Sequence, residues 1–118
     1  LMTVLDIKNL LDAQILSGDD DLSREVHSAC GSDMMSDVLA FVKDQSVLIT
    51  GLCNPQVIRT AEMMDIVCLV FVRGKIPDEH MLCLAKEREI AVLSTKLPMF
   101  SACGILYNAG LRGGASIG

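Results

Sequence analysis

Three short apolar runs organise the second half of the chain, and each is followed by a polar loop, a proline and a segment of helical periodicity. The runs and their prolines are residues 47–51 with Pro55, residues 69–74 with Pro77, and residues 91–95 with Pro98. Proline fits the first turn of a helix, because its missing N–H is not needed there and its φ angle is already helical. Continuous apolar runs are typical of parallel strands that are buried on both faces. The pattern predicts an α/β fold: a mainly parallel sheet covered by helices, in a single three-layer domain over residues 1–118.

The other helices are predicted from their caps. Thr3, with Asp6 three residues later, forms a capping-box pattern before the first helix. Asp33 is predicted to cap a helix over residues 34–43, and Asn54 is predicted to cap the helix after the first apolar run. Each of these side chains can accept a hydrogen bond from a first-turn N–H.

Further strands are predicted from apolar content and alternation. Residues 13–16 and 24–30 are predicted strands, and residues 66–72 form the most apolar stretch of the chain. We therefore expect residues 66–72 at the centre of the sheet. The glycine-rich residues 111–118 are predicted to be a flexible tail.

The apolar content exceeds what one small sheet should bury. Hydrophobic residues make up 51% of the chain, and the mean hydropathy is +0.44. Because homodimer interfaces are richer in apolar surface than ordinary protein exterior, we expect a homodimer or higher homo-oligomer. The candidate contact residues lie in the last helix: Met99, Phe100, Ile105, Leu106 and Tyr107.

Charge and composition exclude several classes of partner. The net charge is −5 and aromatic residues make up only 3%, which argues against nucleic acid, since nucleic acid requires basic surface and stacking rings. No segment approaches the roughly 20 apolar residues that a membrane span needs. An odd number of cysteines, five, without a basic region and apolar stretch at the start, favours reduced thiols and a cytoplasmic location.

Two stretches of the chain resemble the DRTGG domain family. They are residues 26–33, a strand that ends in Gly31-Ser32-Asp33, and residues 46–51, which read Ser-Val-Leu-Ile-Thr-Gly. The order of elements also matches through Ser94-Thr95, so the resemblance covers nearly the whole chain. The string Asp-Arg-Thr-Gly-Gly itself is absent, because the loop after the second stretch begins Gly-Leu-Cys-Asn-Pro.

The resemblance implies a regulatory or ligand-sensing module without catalysis. DRTGG domains occur fused to CBS domains and to ATP-dependent enzyme domains, and they are similar to the N-terminal domain of HPr kinase/phosphorylase. Free-standing copies accompany iron-hydrogenase and electron-transfer genes. The resemblance thus implies kinase-type or hydrogenase proteins as partners, and it assigns no cofactor.

The loops after the predicted parallel strands form the candidate ligand site. Because the carboxyl ends of parallel strands meet at one edge of the sheet, these loops should converge there and bind a small anionic metabolite or nucleotide. The alternative is that the same residues only make turns and helix caps. The residues concerned are Gly31, Ser32, Asp33, Gly51, Cys53, Asn54, Arg73, Gly74, Lys75, Ser94 and Thr95.

Two other functions remain open at this point. Cys30 and Cys53 lie near predicted strand ends, which would suit a redox or metal-carrying accessory protein of an electron-transfer system, but the chain has no Cys-x-x-Cys spacing. A small enzyme that uses the strand-end loops for phosphoryl chemistry would need a base beside a nucleophile, and His27 falls on the opposite strand face from Cys30 by parity. The sequence also lacks the standard glycine-rich nucleotide motifs. No catalytic residue and no metal ligand is therefore assigned.

Overall fold

The computed structural model describes residues 1–42 and 45–113, whose strands form a small ribbon and a larger sheet. The strands are β1 (Met2–Thr3), β2 (Gln14–Ser17), β3 (Glu25–Val26), β4 (Ser28–Gly31), β5 (Ser46–Thr50), β6 (Ile66–Phe71) and β7 (Ala91–Ser94). The helices are α1 (Val4–Leu10), α2 (Met35–Phe41), α3 (Pro55–Met63), α4 (Glu79–Glu87) and α5 (Met99–Asn108), with a 3₁₀ turn at Asp19–Asp21. Strands β1 and β3 pair as an antiparallel ribbon.

The larger sheet is mainly parallel, as the repeated units predict. Its strand order is β2-β7-β6-β5-β4, in which β4 to β7 run parallel and β2 is an antiparallel edge strand. Leu48 is paired in parallel with Leu69, which confirms the predicted direction. All six residues of β6 are buried, and β6 is the middle strand, as expected from its apolar sequence.

Helices cover both faces of this sheet and make three layers. Helices α2, α3 and α4 connect successive parallel strands and pack on one face, while α1 and α5 pack on the other. The buried helix residues on the first face include Val38, Val57, Ile58, Ala61, Met81 and Ala85. Those on the second face include Val4, Ile7, Ala102 and Leu106. The predicted α/β class is confirmed.

The helix starts agree with the sequence only in part. The capping box of Thr3 and Asp6 is present at α1, and the Asn54 side chain caps α3, with Pro55 in its first turn. The other two prolines lie outside their helices. Asp78 caps α4 one residue after Pro77, and Pro98 itself is the N-cap residue of α5.

Residues 24–30 were expected to form one strand and instead form two. Strand β3 pairs with β1, whereas β4 pairs with β5, and His27 separates them. The change of partner occurs where the His27 N–H donates to the Gln45 carbonyl, at 2.9 Å. Helix α2, expected over residues 34–43, ends at Phe41, and Lys43 lies outside the described residues.

The chain after α5 continues along the outer edge of β4. Leu111 is 5% exposed, and the Arg112 carbonyl accepts a hydrogen bond from the Ala29 N–H at 2.9 Å. The predicted tail over residues 111–118 therefore does not begin before Gly113. Residues 114–118 lie outside the described part of the chain.

Gly18 generates a prediction about the antiparallel edge. Its φ angle is +90°, and a Cβ placed on it would lie 2.8 Å from the Ala91 Cα. We expect Gly18→Ala to lower the free energy of unfolding by about 1–3 kcal/mol, because both the backbone conformation and a main-chain neighbour resist the methyl group. Urea denaturation measures this change.

Gly104→Ala is the matched control for that measurement. Gly104 lies in α5 with open space around it, so alanine should raise the unfolding free energy by about 0.5–1 kcal/mol through its higher helix propensity. Equal effects of the two substitutions would contradict the packing described at Gly18.

Candidate functional site

The loops that hold the predicted site residues lie at one edge of the sheet. The four parallel strands end there, at Gly31, Thr50, Phe71 and Ser94. The antiparallel strand β2 begins at the same edge, because Gln14 is paired with the last residue of β7. The end of α1 therefore also reaches this edge.

Asp33 holds two of these loops together. It was expected to cap α2, but Met34 is the N-cap residue, and the hydroxyl of Ser32 accepts the Met34 N–H at 3.0 Å. The Asp33 Oδ1 atom instead accepts the Gly51 N–H at 2.6 Å and the Thr50 hydroxyl at 3.0 Å. The capping prediction was wrong because the carboxylate binds the end of the neighbouring strand.

The Arg73 guanidinium lies against the backbone of Gly51. A Cβ placed on Gly51 would be 2.7 Å from the Arg73 Nη2 atom. Glycine at this position thus permits the close approach of the side chain. The structure brings these two predicted residues together, although they come from loops after different strands.

Arg73 has an unusual backbone conformation. Arg73 and Gly74 have φ angles of +56° and +70°, and the Lys75 N–H donates to the Val72 carbonyl at 3.1 Å. Positive φ at both central residues defines a type I′ turn. A non-glycine residue other than Asn or Asp is uncommon in this region, so the arginine is held at some cost in backbone energy.

The turn at Arg73 is bonded to the loop after β7. Arg73 N–H donates to the Leu97 carbonyl at 2.9 Å, and Gly74 N–H donates to the Thr95 carbonyl at 2.8 Å. The Ser94 hydroxyl donates to the Lys75 carbonyl at 2.8 Å, and the Thr95 hydroxyl donates to a carbonyl at the end of α1. Both hydroxyls therefore stabilise the backbone, although the sequence placed them among ligand contacts.

Two amide groups in the first turn of helix α3 already donate hydrogen bonds to the N-cap residue. The Asn54 side chain accepts the Gln56 N–H at 2.9 Å, and the Asn54 carbonyl accepts the Val57 N–H at 3.1 Å. These two donors are not available to a ligand. Within residues 1–42 and 45–113, the side chains of Arg73 and Lys75 make no hydrogen bond or ion pair, so an anion can reach both of them.

Gly31 has a packing role. A Cβ at this glycine would lie 2.5 Å from the Cys103 Sγ atom of α5. The missing side chain at Gly31 therefore makes room for a helix, and the sequence had grouped it with residues that approach a ligand.

The five cysteines all lie in the described part of the chain, and none forms a disulfide. Burial raises the pKa of Cys30 and of Cys103. Burial also raises the pKa of Cys53, against a smaller opposing effect of Lys75. These thiols thus favour the protonated, less reactive form. No three His, Cys, Asp or Glu side chains among the described residues are grouped so that they could hold a metal ion.

The architecture and the site together define an α/β domain whose loops meet at one sheet edge. The DRTGG domain model matches residues 6–109, and the chain belongs to the DRTGG domain family. A search of curated proteins finds no match. In the described ranges, no helix is both long enough and apolar enough to cross a membrane.

A solved structure shares the fold. It comprises the CBS and DRTGG domains of the regulatory region of Clostridium perfringens pyrophosphatase, complexed with the activator diadenosine tetraphosphate. The TM-score is 0.71 at 18% sequence identity, over 85% of this chain and 44% of that one. This chain therefore spans less than half of the regulatory region it matches.

Cys68 generates a prediction about alkaline stability. Complete burial raises the pKa of its thiol from 9.0 to about 12. Above about pH 9 the unfolded chain loses this proton, whereas the folded chain keeps it until the pH approaches its raised pKa. The unfolding free energy should therefore fall as the pH rises through this range, by up to about 1.4 kcal/mol per pH unit.

Urea denaturation of the wild type and of Cys68→Ala, at about pH 8 and about pH 10.5, measures this effect. The stability difference between the two proteins should shrink at the higher pH, since alanine has no proton to lose. Cys83→Ala, which removes an exposed thiol, is the control for the loss of a cysteine side chain as such. A Cys68→Ala difference that is equal at both pH values would contradict the prediction.

Proposed function

We propose that this chain is a non-catalytic regulatory module that senses a small anionic ligand, such as a nucleotide, at the carboxyl edge of its sheet. The observation that carries the proposal is the Arg73 guanidinium, which lies on the Gly51 backbone from a type I′ turn. Arginine can bind a phosphate or carboxylate with two parallel hydrogen bonds.

The charges around Arg73 support the proposal. The chain has a net charge of −5, yet two cations, Arg73 and Lys75, lie two residues apart without an ion pair among the described residues. Asp33 approaches the same loop, but its Oδ1 atom accepts hydrogen bonds from the Thr50 hydroxyl and the Gly51 N–H. Its second oxygen suits a hydroxyl of the ligand.

The family supports a regulatory role without catalysis. The similar structure is a regulatory region, and its ligand is a nucleotide activator. The raised pKa values of Cys30, Cys53 and Cys103 do not favour a nucleophilic or metal-binding thiol. Partners of the hydrogenase or kinase type remain a prediction from the resemblance, and a cytoplasmic location remains a prediction from the cysteine content.

The test is isothermal titration with ATP and with tripolyphosphate. Arg73→Asn should weaken binding of both by about 1.5–3 kcal/mol, the usual worth of a hydrogen bond to a charged group. The variant should be at least as stable as the wild type, because asparagine adopts positive φ more readily than arginine. Lys86→Gln, which removes an exposed charge from the last turn of α4, is the matched control and should bind normally.

Two results would contradict this function. One is the absence of any binding of these polyphosphates by the wild type. The other is an affinity that Arg73→Asn and Lys75→Gln together leave unchanged, in which case the loops only make turns and caps.

We also propose that the module self-associates through α5. Phe100 is 90% exposed and Tyr107 is 54% exposed, and residues 97–111 contain no charged side chain. The Arg112 guanidinium lies 3.7 Å from the centroid of the Tyr107 ring, so this face carries a positive charge and no acidic side chain, which allows two negatively charged copies to approach. Leu106, which the sequence placed in this contact, is 1% exposed and belongs to the core instead.

Light scattering tests the self-association. Phe100→Glu should convert a dimer to a monomer, because pairing would bury the new charge without a partner. Leu39→Glu is the control, since Leu39 is 44% exposed on α2, on the opposite face of the sheet, and that variant should remain dimeric. A wild-type protein of monomer mass at micromolar concentration would refute the proposal.

A further inference from the structure

A cleft lies beside the candidate anion site at the same sheet edge. It is a cleft of about 510 Å³, where the end of α1, the start of β2, the turn after β6 and the loop after β7 meet. This volume falls in the range of roughly 300–1,000 Å³ that is typical of small-molecule sites. Gly74 lines the cleft and also directly follows Arg73 in the type I′ turn, so the two sites share one piece of backbone.

The cleft has apolar walls that the fold leaves exposed. Leu10 is 41% exposed and Ile76 is 57% exposed, and both line it together with Leu97 and Ile105. Single exposed apolar side chains are ordinary on a protein surface. Leu10 and Ile76, however, line the same cleft. A ligand with a flat apolar body would cover both side chains and bury apolar area.

Three polar side chains line the same cleft. Asp12, Gln14 and Lys96 are exposed, and their side chains make no hydrogen bond or ion pair with any other described residue. A carboxylate accepts hydrogen bonds and an amide both accepts and donates them. The ammonium group of Lys96 adds a positive charge on the side of the loop after β7.

We propose that this cleft holds the base of a nucleotide whose phosphates lie on Arg73 and Lys75. A nucleobase has two apolar faces and an edge of hydrogen-bond donors and acceptors, which matches apolar walls combined with Asp12 and Gln14. A bare inorganic anion would pair with Lys96, but it would gain nothing from the apolar walls and would be repelled by the Asp12 carboxylate. An acyl chain would leave the polar groups without partners.

The backbone connects the two halves of this ligand site. The bonds from Arg73 N–H to the Leu97 carbonyl and from Gly74 N–H to the Thr95 carbonyl attach the arginine turn to the wall of the cleft. Gly74 and Ile76 line the cleft and adjoin Arg73 and Lys75 in the chain, so the two halves of the ligand site are neighbours along this turn. The inference rests on the proposed anion site and adds the class of ligand, a nucleoside phosphate.

The experiment compares ATP with tripolyphosphate, which carries the same phosphates without a nucleoside, by isothermal titration. The wild type should bind ATP about ten-fold or more tightly than tripolyphosphate, as burial of one apolar face predicts. Ile76→Ser and Asp12→Asn should each reduce the ratio of the affinity for ATP to that for tripolyphosphate. This ratio cancels the effect that removal of the Asp12 charge has on the phosphates of both ligands. Asparagine preserves the positive φ of residue 12, which is +49°.

A control variant and a second set of ligands complete the design. Leu39→Ser, on the opposite face of the sheet, should bind both ligands as the wild type does. Titration with GTP, CTP and UTP identifies the preferred base, and a preference for any of them that depends on Ile76 supports the inference. Thermal midpoints of all variants show whether each has folded.

The outcomes separate the two proposals. Equal affinities for the nucleotides and tripolyphosphate, lost together in Arg73→Asn, would overturn the base site and leave the anion site standing. A preference for ATP that neither Ile76→Ser nor Asp12→Asn changes would also overturn it. Failure of the wild type to bind any of these ligands would refute both.

Discussion

The structure depends on one constraint: the parallel strands must be covered on both faces. Strand β6 has no exposed residue, so helices from both sides of the sheet are required to exclude water from it. The connections between parallel strands are then helices packed on a face of the sheet, which places the carboxyl end of every parallel strand at one edge. The candidate site is a consequence of that burial, because the loops that follow the parallel strands all begin at this edge.

The sequence predicts those features that follow from local patterns. The apolar runs, the capping box at Thr3 and the cap at Asn54 each involve neighbours only a few residues apart, and all three are present. The positions of Pro77 and Pro98 were wrong by one or two residues. Proline is compatible with the residues just before a helix as well as with its first turn, so the pattern alone does not separate the two cases.

The site depends on contacts between residues that are distant in the sequence, and local sequence patterns do not predict such contacts. The Asp33 carboxylate binds a residue 18 positions away, and Arg73 lies on Gly51 from a loop after another strand. Asp33 is a good cap by residue type, but the neighbouring strand end offered it two donors instead. The sequence predicted Arg73 as a ligand-binding residue because of its positive charge. Its left-handed conformation had no signal in the sequence beyond the glycine that follows it.

The hydrogen bond between the Arg73 N–H and the Leu97 carbonyl has a thermodynamic consequence. Leu97 immediately precedes the N-cap residue of α5, so the ligand edge and the exposed helix are joined by two residues of backbone. If a ligand bound at this edge of the sheet changes the affinity of two copies for each other through α5, then pairing of the copies must change the ligand affinity by the same factor. The response of such a module would depend on its own concentration as well as on that of its ligand.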